Sequence, residues 1–356
     1  MTTVTLEKTS TPAAGSSPRR PRKALTGLLL VTVASALAAC SNAGVTAASG
    51  SEGGKTIVGY SGYTVSNPYF AGLIKGLENG AAKHNFTLLQ TNSNGDNNAQ
   101  SSDIQNLVTK GAKYVVVSPA DAQAIVPAVR AAKAAGATVI AISDTIASPD
   151  VQFTVAMDHV KIGEQSAQGV VDFLTAKHGK PEGRIVNIQG IAGSSAAIDR
   201  DKGFQNVVSK YPGIRVVATQ DGGFDTDTTF KVMSNVLQAH PDVEAVFTSN
   251  DSEAQGATKA IEAAGLFRKV GDPGHIFVTG NDAPAPAIAD LRAGRQDMTV
   301  ASNPVKLSEL VMAKIADLES GKDVSGFIEW PGLVFTPANL DSAEVKKYGI
   351  WADEVN

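Results

Sequence analysis

From Thr56 onward, short apolar runs alternate with longer stretches in which apolar residues recur at helical spacing. The runs predict strands at Thr56–Tyr60, Thr87–Gln90, Tyr114–Val117 and Thr138–Ile142. Helices are predicted between and beyond them, at Tyr69–His84, Ala99–Lys110 and Ala122–Ala135. Uninterrupted runs such as Val115-Val116-Val117 suit strands covered on both faces, as in a parallel sheet. Gly111 and Gly136 stand just past two of the helices, where a left-handed cap is wanted. A second round follows. Its strands are Arg184–Ile188, Arg215–Thr219, Ala245–Thr248, Ile276–Thr279 and Thr299–Ala301. Its helices are Ala196–Lys210, Asp225–Gln238, Glu253–Ala264, Pro284–Ala293 and Val305–Ser320. The fold class this predicts is α/β, with two doubly wound, Rossmann-like units in tandem.

The N-terminus follows another pattern. Arg19-Arg20-Pro21-Arg22-Lys23 precedes an uncharged apolar stretch, Ala24 to Ala39. A basic segment, an apolar segment and a small-residue end make a secretory signal over residues 1–39. At 16 residues the apolar run is shorter than the roughly 20 a spanning helix needs. The only cysteine, Cys40, closes the sequence Leu37-Ala38-Ala39-Cys40. This segment resembles the lipobox of bacterial lipoproteins, which implies lipidation of Cys40 and anchoring at the outer face of the cytoplasmic membrane. Residues 40–54, rich in Ser, Gly, Ala and Thr, read as a flexible tether.

Composition narrows the chemistry. Of 356 residues 43% are hydrophobic, enough for a packed core, and one cysteine excludes a disulfide scaffold. The formal charge of −4 hides an asymmetry: residues 1–39 hold five cations against Glu7 alone. The rest carries 26 basic and 34 acidic side chains, a net of −8. So acidic a body disfavours nucleic-acid binding. Gly54-Lys55-Thr56 ends like a phosphate-binding loop, but Ser49 stands where its first glycine belongs and the segment precedes a strand rather than following one. His84, His159, His178, His240 and His275 show no metal-ligand spacing. Ser194 and Ser195 lack a Gly-x-Ser-x-Gly elbow, and Gly190-Ile191-Ala192-Gly193 lacks the third glycine of a dinucleotide fingerprint. The expectation is no enzyme, no metal and no cofactor.

Open parallel sheets bind ligands beyond the carboxyl ends of their strands. Here those ends carry Ser118, Ser143 and Asp144, Asn250 and Asp251, and Asn281 and Asp282. Taken together they predict one site, although Ser, Asn and Asp at such positions also cap helices.

Four segments then resemble the ribose-binding-protein branch of the periplasmic sugar-binding proteins that serve ABC importers. They are Asn67-Pro68-Tyr69-Phe70, Gln189 to Ala197 with Arg200, His240 to Phe247 running into Asn250-Asp251, and Thr299 to Pro304. The resemblance implies two lobes, 55–157 with 304–331 and 158–303 with 332–356, joined by crossings near Asp158, Asn303 and Gly332. It further implies that Asn67 hydrogen-bonds a sugar hydroxyl and that Tyr69, Phe70 and Phe224 present rings to its C–H faces. Arg200 would offer a fan of donors with Asn250 and Asp282 beside it, and Ser118, Asp144 and Ser302 would complete the site. Where the family has Asp-Arg this chain has Ser143-Asp144. Ser118 replaces Asn, Asn281 an aromatic and Ser302 Gln. The implied ligand is a neutral monosaccharide or sugar alcohol of four to six carbons, such as a pentose, xylitol or threitol. A monomer is expected to deliver it to a permease whose ATPase is a separate subunit. The same fold could instead present a polyol to a sensor kinase.

Overall fold

The computed structural model describes residues 54–355, except for the side chain of residue 354. The leader over 1–39, Cys40 and the tether as far as residue 53 lie outside the described residues.

The first six-stranded sheet contains β1 (Ile57–Gly62), β2 (Thr87–Asn92), β3 (Tyr114–Ser118), β4 (Thr138–Ser143), β5 (Val151–Ala156) and, from much later in the chain, β11 (Gly326–Glu329). Its order is β11-β5-β4-β3-β1-β2, parallel throughout. The second contains β6 (Gly183–Gln189), β7 (Ile214–Asp221), β8 (Ala245–Thr248), β9 (Phe277–Asp282), β10 (Met298–Ala301) and β12 (Leu333–Phe335). Its order is β12-β10-β9-β8-β6-β7, with only the β12 edge antiparallel. The central strands are buried along their whole length, as their Val and Ile runs require.

Helices cover both faces of each sheet. On the first, α1 (Pro68–His84) and α9 (Pro304–Glu319) lie on one side, and α2 (Asn97–Thr109) and α3 (Val126–Ala134) on the other. On the second, α4 (His159–His178) and α5 (Ser195–Val208) lie opposite α6 (Thr226–Ala239) and α7 (Asp251–Ala263). A further cluster gathers α8 (Ala285–Ala293), α10 (Ala343–Tyr348) and α11 (Ala352–Val355) beside β12. Two helix pairs pack backbone to backbone. A Cβ on Gly76 of α1 would meet the Val305 carbonyl at 2.1 Å, and one on Gly203 of α5 the Val160 carbonyl at 2.1 Å.

The chain passes between the sheets after β5, after β10 and between β11 and β12. Two aromatics bind these passages together. Trp330 donates from Nε1 to the Ser302 carbonyl at 2.6 Å and from its backbone N–H to Ala156 at 2.8 Å. Tyr348 Oη lies 2.9 Å from the carbonyls of both Ala301 and Pro331.

The sequence reading lacks β11, β12, α10 and α11, and the structure corrects it in two further places. The third helix begins at Val126, not Ala122: Asp121 folds residues 121–125 into a turn by accepting from Gln123 and Ala124 N–H. Pro127 is tolerated only in a helix's first turn, which fixes the start. Strand β5 and helix α4 were not predicted. The strand is mixed Val, Gln, Phe and Thr, and the helix, capped by Asp158, packs with small residues such as Gly163 and Ala167.

Candidate functional site

Strands β1, β4, β8 and β9 and helices α1 and α5 point their ends at a narrow cavity between the two sheets. Its wall is formed by Tyr63, Asn67, Tyr69, Phe70, Ser143, Asp144, Ala196, Arg200, Phe224, Asn250 and Asp282.

One side is aromatic. The Tyr63 and Phe70 ring centroids lie 4.7 Å apart at 74°, and Tyr69 meets Phe70 edge-on at 5.5 Å and 87°. Phe224 reaches in from the other lobe. Its backbone is left-handed, at φ 57°, and its N–H is held by Glu253 Oε1 at 2.8 Å. The other oxygen of this buried carboxyl group accepts from Ser249 and Asn250 N–H, so one side chain ties the loop of Phe224 to the start of α7.

The polar side is built by helix starts. Asn67 caps α1, its Oδ1 accepting from Tyr69 N–H, and Asn250 caps α7 in the same way through Glu253 N–H. Each cap occupies the amide oxygen and leaves the NH₂ group for the cavity. Arg200 is 5% exposed. It donates from Nη1 to the Ser249 carbonyl at 2.8 Å, faces Asp282 from Nη2 at 3.7 Å, and has no partner at Nε. Neither neighbour on its helix holds it; Asp201 pairs with Asn187 instead. Asp282 itself sits at a left-handed φ of 104°, its carbonyl accepting from Trp351 Nε1 at 2.7 Å. Burial pushes its carboxyl up to about 8, with the Arg200 charge opposing.

At the end of β4, Ser143 is left-handed at φ 69°, which turns Asp144 toward α5. The Ser143 carbonyl lies 2.7 Å from His159 Nε2, and burial, aided by the Arg200 charge, lowers that imidazole to about 3. His159 is therefore neutral at physiological pH and donates from Nε2. Asp144 is 3% exposed, its Oδ1 accepting from Ser194 Oγ, Ser195 Oγ and Ala196 N–H. Burial still raises its carboxyl above the ordinary range.

Of the ten residues given a ligand role from the sequence, eight lie on this wall: Asn67, Tyr69, Phe70, Asp144, Arg200, Phe224, Asn250 and Asp282. Ser118 and Ser302 do not. Both are short side chains that stop inside the core, with hydroxyls that find no protein partner, and their carbonyls accept from Gln100 and Trp330. Of the other strand-end candidates Ser143 also lies on the wall, whereas Asp251 accepts from Gln296, Thr299 and Ala283, and Asn281 donates to the Ser249 carbonyl, away from the wall. Tyr63 was missed; its signal was an aromatic directly after the first strand. Among the described residues no group of three His, Cys, Asp or Glu side chains is placed to hold a metal ion, and no helix is long and apolar enough to cross a membrane.

Comparisons with known proteins accord with this arrangement. Residues 58–323 match the family model described as a periplasmic binding protein domain. The ribose import binding protein of Bacillus subtilis is 33% identical over 274 residues, covering 77% of this chain and 85% of that protein. The xylitol-binding protein of Mycolicibacterium smegmatis is 31% identical over 192 residues, or 54% of each chain. An ABC transporter solute-binding protein from Mycobacterium smegmatis, solved with bound glycerol, superposes with a TM-score of 0.73 at 28% identity, covering 80% of this chain and 96% of that one. By the two parallel sheets, the cavity between them and these likenesses, the chain belongs to the periplasmic binding protein family, in its type 1 sugar-binding branch, whose members are extracytoplasmic, transport-linked binding proteins and not enzymes.

Proposed function

We propose that this protein captures a neutral polyol of four to six carbons, a pentose or an alditol such as xylitol or threitol, by closing its two lobes around it. The observation that carries the reading is the division of the cavity wall. Four aromatic rings suit the C–H faces of a polyol, while the Asn67 and Asn250 amides, Arg200 Nε and the Asp282 carboxylate suit its hydroxyls. The acidic groups of the wall are already engaged by the protein: Asp282 faces Arg200, and Asp144 is met by three donors from α5. The closed form delivers its ligand to an ABC permease, and ATP is hydrolysed in a separate subunit. A lipid on Cys40 keeps the protein at the membrane.

Titration calorimetry over pentoses, hexoses and alditols, chosen from a thermal-shift screen, tests the ligand class. Heat from an alditol or pentose with micromolar affinity, about −8 kcal/mol, is the expected result. No heat from any of them refutes it. Loss of membrane partitioning in Cys40→Ser tests the anchor.

A further inference from the structure

The seam beside the cavity is held by contacts that need no ligand. Asp144, in the loop after β4, offers Oδ1 to Ser194 Oγ at 2.9 Å, Ser195 Oγ at 3.1 Å and Ala196 N–H at 3.0 Å. The donors all belong to the first turn of α5, on the other sheet. Thr145 N–H, the next residue along, donates back across the seam to Ser195 Oγ at 2.8 Å, and Ala122 N–H donates to the Gly193 carbonyl at 3.1 Å. Two loops of one lobe thus grip four consecutive residues of the other.

The direction of each bond is fixed. Ser194 Oγ accepts from Ala197 N–H as the helix cap and Ser195 Oγ accepts from Thr145 N–H, so the single hydrogen of each hydroxyl is free to go to Asp144. The α5 N-terminus, with its exposed N–H groups and positive dipole end, favours that oxygen. Every one of these bonds joins the two lobes, so hinge opening breaks them all, and their free energy belongs to the closing equilibrium. The docked turn also places the cavity. Ala196 and Arg200 are four residues apart on one face of α5, and both reach its wall.

We propose that Asp144, Ser194 and Ser195 form a latch that favours the closed state, so that Oδ1 of Asp144 serves closure rather than recognition and Ser195 is a positioning residue outside the cavity wall. This rests on the hinge-closure reading above, and the test separates the two. Ser195→Ala removes two bonds across the seam while leaving the Ser194 cap and the wall intact. Affinity for the polyol that the wild type binds best in the calorimetric panel is expected to fall about tenfold, carried by faster dissociation. The melting temperature of the unliganded protein, in which open and closed forms coexist, falls by no more than about 1 °C, and Ser195→Thr, which keeps the hydroxyl, restores affinity. A lowered unliganded melting temperature with wild-type affinity marks a merely structural serine and overturns the latch, as does unchanged affinity alone. If the wild type binds none of the panel, the polyol reading fails, yet small-angle scattering still reads the latch. The unliganded radius of gyration then grows in Ser195→Ala, and equality with wild type overturns the latch.

Discussion

Gly193 lies on the seam where the two lobes meet, its carbonyl accepting from Ala122 N–H at 3.1 Å. It is left-handed at φ 95°, and a Cβ built on it would lie 2.6 Å from Asp121 Oδ2, 2.9 Å from Asp121 Cγ and 3.3 Å from Asp121 Cβ. Gly193→Ala therefore acts twice. The left-handed backbone costs an L-residue about 1 kcal/mol, but it does so in open and closed forms alike and cancels from binding. The clash exists only when the lobes meet. Overpacking costs about 1–3 kcal/mol, and pushing the seam apart weakens the Ala122-to-Gly193 hydrogen bond, worth about 1 kcal/mol. A closing penalty of about 2–3 kcal/mol makes polyol binding roughly 30- to 150-fold weaker by calorimetry. Asp121→Ala in the same chain removes the atoms at 2.6 and 2.9 Å and leaves only the 3.3 Å contact, so the double variant recovers most of the loss. Gly193→Ala within twofold of wild type refutes the reasoning, and so does a double variant no better than the single one.

Arg200→Met keeps the packed stem but removes the donors to Ser249 and Asp282; binding weakens at least 100-fold, and calorimetry finding wild-type affinity removes Arg200 from the site. The raised Asp282 carboxyl sets a pH dependence. The folded chain keeps a proton that the unfolded chain releases near pH 4, so this stabilising contribution is whole below pH 4 and is lost as pH rises through about 8. Between pH 6.5 and 8.5 the unliganded melting temperature falls more steeply in wild type than in Asp282→Asn. His275, also raised, adds the same slope to both proteins, and parallel curves refute the assignment. Gly203→Ala sets a Cβ 2.1 Å from the Val160 carbonyl and forces α4 from α5, lowering the unfolding free energy from urea titration by about 1–3 kcal/mol; an unchanged midpoint shows that the helix pair yields freely.

How much of this was legible in the sequence depends on how local each cause is. The buried runs of β3 and β4 announce themselves, because a strand covered on both faces is apolar at every position. Strand β11 does not. Gly326–Glu329 is mostly exposed, and it is a strand only because β5, some 170 residues earlier in the chain by register, pairs with it. The three-residue β12 likewise exists through its pairing with β10. The site shows the same division. Asn67 and Asn250 stand where a cap is wanted and where a ligand residue is wanted, and for Asn250 the sequence offered these as rival explanations. The geometry shows that they are compatible, since a cap engages the amide oxygen and the NH₂ group remains. For Asp144 no local signal was available: its three donors are 50 to 52 residues away. A residue directly after a strand, beside a serine, reads like any strand-end polar group until the other lobe is in place. Recognition can therefore be inferred from residue types gathered at strand ends, whereas closure depends on which loop meets which helix, and that is written in the packing of the two lobes.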